Sequence, residues 1–395
     1  MNTARSNWPA IAVLVLVGVS AALEFAKVSA VFDAVAAAYA ANDAAAAWFV
    51  SLPAIATIVF GVTGSVLAAR IGFRRALLGA LGLAVLFSAV QATLPALPVF
   101  LATRVLDGAV QLGIVIAAPV LILKFAAPQA RAFAMALWGT FFGFAFALAG
   151  WVAPALVDDF GLWSVFLAHA LFAAILAVIV WRWLPRVPGD DPQSGAVHDG
   201  FLRAHLQAYR SARSVLPGAI FIFHTTLYAV FVLFVPAFAP AEITPLLLVW
   251  MPLMSIVGTI AAGVVTGRLA SPPLVLIIGF IGLVVSIVLI ALSAQEVAAA
   301  FIWSLALMLF SGLIQGASFS LMPALSADPE VTARSNGVLM QLGNLGTLIG
   351  PPLFAVVIAG GGMLGFGLLA AVLCAAAVLV SLFALRLTGR RPVSA

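Results

Sequence analysis

Long apolar runs recur twelve times along the 395-residue chain, each close to the roughly 20 residues that an α-helix needs to cross a hydrocarbon core. Charges, Pro/Gly turns and short polar patches separate them. The pattern predicts spans near 8–31, 46–69, 76–95, 98–124, 131–156 and 161–184, then near 215–239, 244–267, 272–293, 298–325, 333–359 and 362–386. A spanning β-barrel would instead show alternating segments of about ten residues between polar turns. Unbroken stretches such as 171–181 and 370–385 do not have that form. Span one is expected to stay in place as a helix. Its apolar run passes directly into Glu24 and Lys27, unlike the short apolar core of a cleaved signal peptide. The expected fold class is an all-α polytopic membrane protein of twelve transmembrane helices in two pseudo-symmetric six-helix bundles.

Composition sharpens the picture. Hydrophobic residues make up 65% of the chain and charged residues only 8%, against about 25% charged in a soluble domain. Eighteen basic and 13 acidic residues cannot cover a water-facing surface. A soluble enzyme, a nucleic-acid-binding domain and a disordered scaffold are therefore excluded. The placement of the bases explains their excess. Counted from an inside amino terminus, the inside segments hold Arg5; Arg70, Arg74 and Arg75; Lys124 and Arg131; Arg182, Arg186, Arg203, Arg210 and Arg213; Arg268; Arg334; and Arg386, Arg390 and Arg391. The outside loops hold only Asp33, Asp43, Asp158, Asp159, Glu242 and Glu296. Bases resist translocation, so both termini are expected on the cytoplasmic side of a cell (inner) membrane, with lipid and not nucleic acid as the surrounding partner. The single Cys374 permits neither an intrachain disulfide nor a cysteine metal cluster. No Gly-x-x-x-x-Gly-Lys-Ser loop offers a phosphate cradle. Four scattered histidines without an acidic loop cluster suggest no catalytic or metal centre, and no cofactor is expected.

The two halves repeat. Gly108, Gln111 and Pro119 in span four stand at the same spacings as Gly312, Gln315 and Pro323 in span ten. Pro53 precedes Arg70 much as Pro252 precedes Arg268, and Arg131 opens span five as Arg334 opens span eleven. The chain thus divides into a bundle over 1–184, a cytoplasmic linker over 185–214 and a bundle over 215–395. Within the linker, Phe201, Leu202, His205, Leu206 and Tyr209 recur at helical spacing opposite Arg203, Gln207 and Arg210. That fits a helix lying on the inner leaflet and an ordinary solvated linker equally well. Parallel repeats place a substrate site where the halves meet, near mid-membrane.

On these features the chain resembles the major facilitator superfamily over essentially its whole length. That family joins two six-helix bundles and carries Gly-x-Leu-Ala-Asp-Arg-x-Gly-Arg-Arg between spans two and three. The matching stretch is Ser65-Val66-Leu67-Ala68-Ala69-Arg70-Ile71-Gly72-Phe73-Arg74. Arg70, Gly72 and Arg74 fit, whereas Ala69 replaces the acid and Ser65 the first glycine; in the second half Gly263 and Arg268 remain. The resemblance implies a gating role for Arg70, Gly72 and Arg74, without a carboxylate latch.

Four ionisable residues lie deep in apolar spans: Glu24 and Lys27 in the first, Arg104 and Asp107 in the fourth. A charge at that depth costs at least about 2.5 kcal/mol. Each pair has i, i+3 spacing, so acid and base share a helix face. At 1.5 Å per residue, all four lie roughly 24–30 Å from the cytoplasmic helix ends. In the resembled family, spans one and four are cavity-lining neighbours, which implies one charged layer with Glu24 and Asp107 central and the bases outward. A shift of one helical turn gives two cross-helix ion pairs instead, and spacing does not choose between them. Read functionally, Glu24 and Asp107 couple protons while Lys27 and Arg104 touch substrate, since intramembrane charges mark transport pathways. Read structurally, the four form a neutral cluster locking span one to span four.

Arg104-x-x-x-Gly108 also resembles the Arg-x-x-Gln-Gly motif of proton-coupled drug exporters, with Asp107 in place of Gln. The exporters' span-five Gly-x-x-x-Gly-Pro becomes Gly139-x-x-x-Gly143-Phe144 here, and appears intact as Gly346-x-x-x-Gly350-Pro351 in span eleven. Further substrate-binding candidates are Gln111, His224, Tyr228, Gln315, Gln341 and Asn344, although amides in membrane bundles also serve as interhelix glue. His169 reads as structural. The expected function is secondary active transport of a small organic solute, with an anionic or polar group as first choice, driven by protons or another coupling ion in a monomer. A proton/drug antiporter is one alternative, and a non-transporting receptor or scaffold another. An enzyme is not expected.

Overall fold

The computed structural model describes residues 6–127, 130–186, 209–293, 296–325 and 329–388. The helix considered near 201–210 lies almost wholly outside them. In chain order the helices are α1 (Trp8–Ser29), α2 (Phe32–Ala38), α3 (Asp43–Ser51), α4 (Ala54–Ile71), α5 (Phe73–Ala92), α6 (Leu97–Phe125), α7 (Arg131–Trp138), α8 (Phe141–Phe160), α9 (Trp163–Trp183), α10 (Ala212–Phe238), α11 (Thr244–Arg268), α12 (Pro272–Leu292), α13 (Val297–Leu325) and α14 (Pro329–Thr388). Among the described residues ten helices are long and apolar enough to cross a membrane, and the bent pair α3–α4 adds an eleventh span. Helix α14 breaks at Gly362 (φ 51°, ψ −144°), and its two legs bring the total into line with twelve.

Local chemistry explains where these helices start and bend. The Asn7 side chain accepts from the Ala10 amide at 3.1 Å and Pro9 sits in the first turn of α1, a favourable cap followed by a preset φ. Span two breaks at Leu52 and Pro53, and its two pieces diverge by 44°, because proline has no N–H to continue the helical ladder. Helix α4 turns into α5 through Gly72 alone, at φ 88° and ψ 135°, a conformation that suits glycine.

The described helices group into two compact units: residues to 42 with 52–201, and 43–51 with 202–395. In the first, α1 is the spine. It is packed by α6, α8 and α9, while α5 lies on α6 and α9 and α4 lies on α6. Every α1 residue from position 17 to 29 is buried. In the second unit, α10 packs on α13 and α14, α11 on α13, and α12 on both α13 and α14; α3 lies against α14.

Packing reproduces the sequence repeat. A Cβ added at Gly108 would come 2.0 Å from the Pro53 carbonyl oxygen, and one at Gly312 would come 2.0 Å from that of Ser255. Small residues allow such close crossings between membrane helices. Beside them, Thr57 Oγ1 donates to Gln111 Oε1 at 2.7 Å, and Thr259 Oγ1 donates to Gln315 Oε1 at 3.4 Å. The α4–α6 and α11–α13 crossings are thus built alike. Large apolar side chains including Trp151, Val178, Trp181 and Leu379 are exposed, as a lipid-facing surface requires.

Candidate functional site

Inside the first unit, α1, α5, α6 and α9 bring together Glu24, Lys27, Ser88, Gln91, Arg104, Asp107 and His169, none more than 3% exposed. Charges buried this deeply must be paired. Lys27 Nζ donates to Glu24 Oε2 at 2.6 Å and to Ser88 Oγ at 3.0 Å. It lies 3.2 Å from His169 Nδ1 and 3.6 Å from Asp107 Oδ2. Arg104 donates from Nη1 to Asp107 Oδ2 at 2.5 Å and from Nη2 to the Glu24 backbone oxygen at 2.6 Å. Gln91 Nε2 donates to Asp107 Oδ2 at 2.7 Å and to Thr103 Oγ1 at 3.1 Å.

Both i, i+3 pairs therefore close within their own helices, and each base also reaches the other helix. The pairing left open by the spacing is thus not a pair of cross-helix bridges. Two formal negative and two formal positive charges cancel. One oxygen of each carboxylate, Glu24 Oε1 and Asp107 Oδ1, has no hydrogen-bond partner among the described residues. A buried acceptor in that condition is costly, and it can take up a proton without breaking a bond that the group already makes.

Aromatic rings continue from the cluster. Lys27 Nζ sits 6.0 Å from the Phe166 ring centroid, Phe166 meets Phe100 edge-on at 5.9 Å, and Phe100 packs on Tyr39 at 4.6 Å. Tyr39 directly follows α2, a short helix that the sequence pattern did not indicate. Burial pushes its phenol up to about 12.

The other candidate residues have different neighbours. Gln111, one turn beyond Asp107 on α6, is engaged by Thr57. In the second unit the His224 ring lies 5.2 Å from that of Phe221 and 5.9 Å from that of Tyr228, with Ser311 Oγ 3.5 Å from its Nδ1. Gln315 is engaged by Thr259, Gln341 Oε1 accepts from the Tyr209 hydroxyl at 3.2 Å, and Asn344 Nδ2 donates to the Met340 carbonyl of its own helix at 2.9 Å. Of the loop motif, Gly72 makes the turn, Arg70 is exposed, and Arg74 Nη2 donates to the Val180 and Trp181 carbonyls at 3.0 and 2.7 Å. A cation there satisfies terminal carbonyls of α9 and suits that end of the helix dipole.

Sequence reasoning took His169 as structural and passed over Ser88 and Gln91. Their signal was available, though weak. Ser88 and Gln91 stand three apart in span three, and His169 is a polar ring within an apolar run.

The profile of the Major Facilitator Superfamily matches residues 14–329. No curated protein sequence matches the chain. Among solved structures, the chain is similar to a bacterial homolog of the human lysosomal transporter Spinster, solved in an inward-facing and unoccupied conformation. The TM-score is 0.76 at 15% identity, over 98% of this chain and 99% of that one. At that identity the likeness speaks for the fold.

Proposed function

The chain belongs to the major facilitator superfamily, and from that premise we propose that it is a secondary active transporter that moves a small organic solute by alternating access, coupled to protons. The observation that carries the coupling is the buried, charge-balanced cluster with an unbonded oxygen on both Glu24 and Asp107. Protonation of either carboxylate removes one negative charge from this buried cluster. The base that loses its partner must then find another anion. A solute with an anionic or polar group fits that moment, since Lys27 or Arg104 would bind it as the carboxylate loads its proton. Proton and solute then travel together. The exposed bases at helix ends support a membrane orientation with both termini on the cytoplasmic side, and a monomer suffices for this scheme.

A second reading has support from the same two free carboxylate oxygens. A cationic solute could bind there in exchange for a proton, which is the chemistry of a proton/drug antiporter. Reconstitution in proteoliposomes with a pH-sensitive dye tests both readings. Wild type should show proton movement that depends on solute, with small carboxylates favouring the first reading and cationic dyes the second. Glu24→Gln and Asp107→Asn should each lower that movement by at least about tenfold. Persistence of coupled flux in both variants would sink the assignment. Wild-type protein showing neither flux nor a ligand-induced thermal shift across a broad panel would favour a non-transporting receptor.

A further inference from the structure

We propose that His169 is a positioning residue, which holds the Lys27 ammonium on Glu24 and away from Asp107 by offering its Nδ1 lone pair. The inference deepens the proton-coupled reading above and rests on it for its link to transport. The geometry begins at the far side of the ring. His169 Nε2 lies 3.1 Å from the Ser20 carbonyl oxygen and 3.2 Å from Ser20 Oγ. A carbonyl only accepts, so Nε2 carries the ring proton and Nδ1 is left as an acceptor. That acceptor faces Lys27 Nζ at 3.2 Å, with Ser88 Oγ at 3.0 Å sharing the same lone pair.

An ammonium has three N–H groups. Around Lys27 the acceptors Glu24 Oε2, Ser88 Oγ and His169 Nδ1 stand at 2.6, 3.0 and 3.2 Å, whereas Asp107 Oδ2 is more distant at 3.6 Å. The three nearer groups use all the donors. Asp107 is served instead by Arg104 and Gln91. His169 thereby keeps the two acids distinct: Glu24 is bonded by Lys27, and Asp107 by an arginine bonded across two helices. Without the Nδ1 acceptor, the third N–H would turn to Asp107 and the distinction would fade. The charged and titratable groups around the ring are Glu24 and Lys27 from α1 and Arg104 and Asp107 from α6, and the Ser88 hydroxyl reaches it from α5.

Nitrogen NMR of histidine-labelled protein in nanodiscs reads the tautomer, the His169 signal being the one missing from His169→Asn. A neutral ring protonated at Nε2 is expected. Protonation at Nδ1, or at both nitrogens, overturns the proposal whether or not the protein transports anything. Two variants then separate the roles. Asparagine restores an acceptor near the Nδ1 position, while glutamine restores a donor near Nε2 and supplies nothing at Nδ1. His169→Asn should keep solute-dependent proton uptake within about twofold of wild type, and His169→Gln should lose about tenfold, the size of one charge-assisted hydrogen bond. Equal loss in both variants, loss confined to His169→Asn, or loss in neither overturns the proposal. If the wild type itself moves no protons, the transport reading fails, while the NMR result still decides the position of His169.

Discussion

At the scale of single residues, burial makes the ion pairs asymmetric in their consequences. Arg104 is fully buried and joins α6 to α1 through the Glu24 carbonyl. Arg104→Met should cost about 3–5 kcal/mol, because it strands Asp107 without its main counter-charge. Arg104→Met combined with Asp107→Leu should recover much of that loss, as melting temperatures of the purified variants will show. Tyr39 gives a pH-dependent test. Its folded phenol titrates near 12, above the usual 10.0, so the folded state holds the proton more tightly than the unfolded one. Its contribution to stability is intact below pH 10 and declines as pH rises from about 10 to about 12. Tyr39→Phe should show a flatter alkaline decline in thermal stability than wild type. The four intramembrane charges were legible in the sequence, because nothing else in those spans is polar enough to hide them. The role of His169 was not legible, since the bonds that define it come from α1 and α5, far from it in sequence.

At the scale of helices, the repeated crossings rest on missing side chains. Gly108→Ala and Gly312→Ala should each destabilise by about 1–3 kcal/mol, the usual cost of overpacking, since each new methyl meets a backbone carbonyl. Gly79→Ala provides the control: a Cβ there meets nothing within 4 Å, and it should be neutral or slightly stabilising. Thermal unfolding of the three proteins under one set of conditions settles the comparison. Hydropathy located the spans to within a few residues, because the apolar runs that cross a bilayer end at charges and turns. It did not show the break inside span two, where Pro53 lies in an otherwise continuous run, nor the helix at Phe32–Ala38, which is too short to leave a periodic signature.

At the scale of the whole molecule, the prediction concerns sidedness. With Cys374→Ser as background, single cysteines at Asp43 and Glu242 should react with an impermeant maleimide applied to intact cells. Cysteines at Arg75 and Arg213 should react only after permeabilisation. All four positions are exposed, so accessibility across the membrane alone decides the result, and the reverse pattern would invert the topology. The family could be read from the chain because repetition and charge bias are distributed over hundreds of residues. The solute could not, because side chains such as His224 and Gln341 meet partners far from them in sequence, which only the fold reveals.

The deep charges all belong to one half. Glu24, Lys27, Arg104 and Asp107 lie in the first unit, and charged residues in the helices of the second stand only near their ends. A substitution confined to the second unit therefore leaves all four of these charges in place. A chimera that takes its second unit from another sequence would still carry Glu24, Lys27, Arg104 and Asp107.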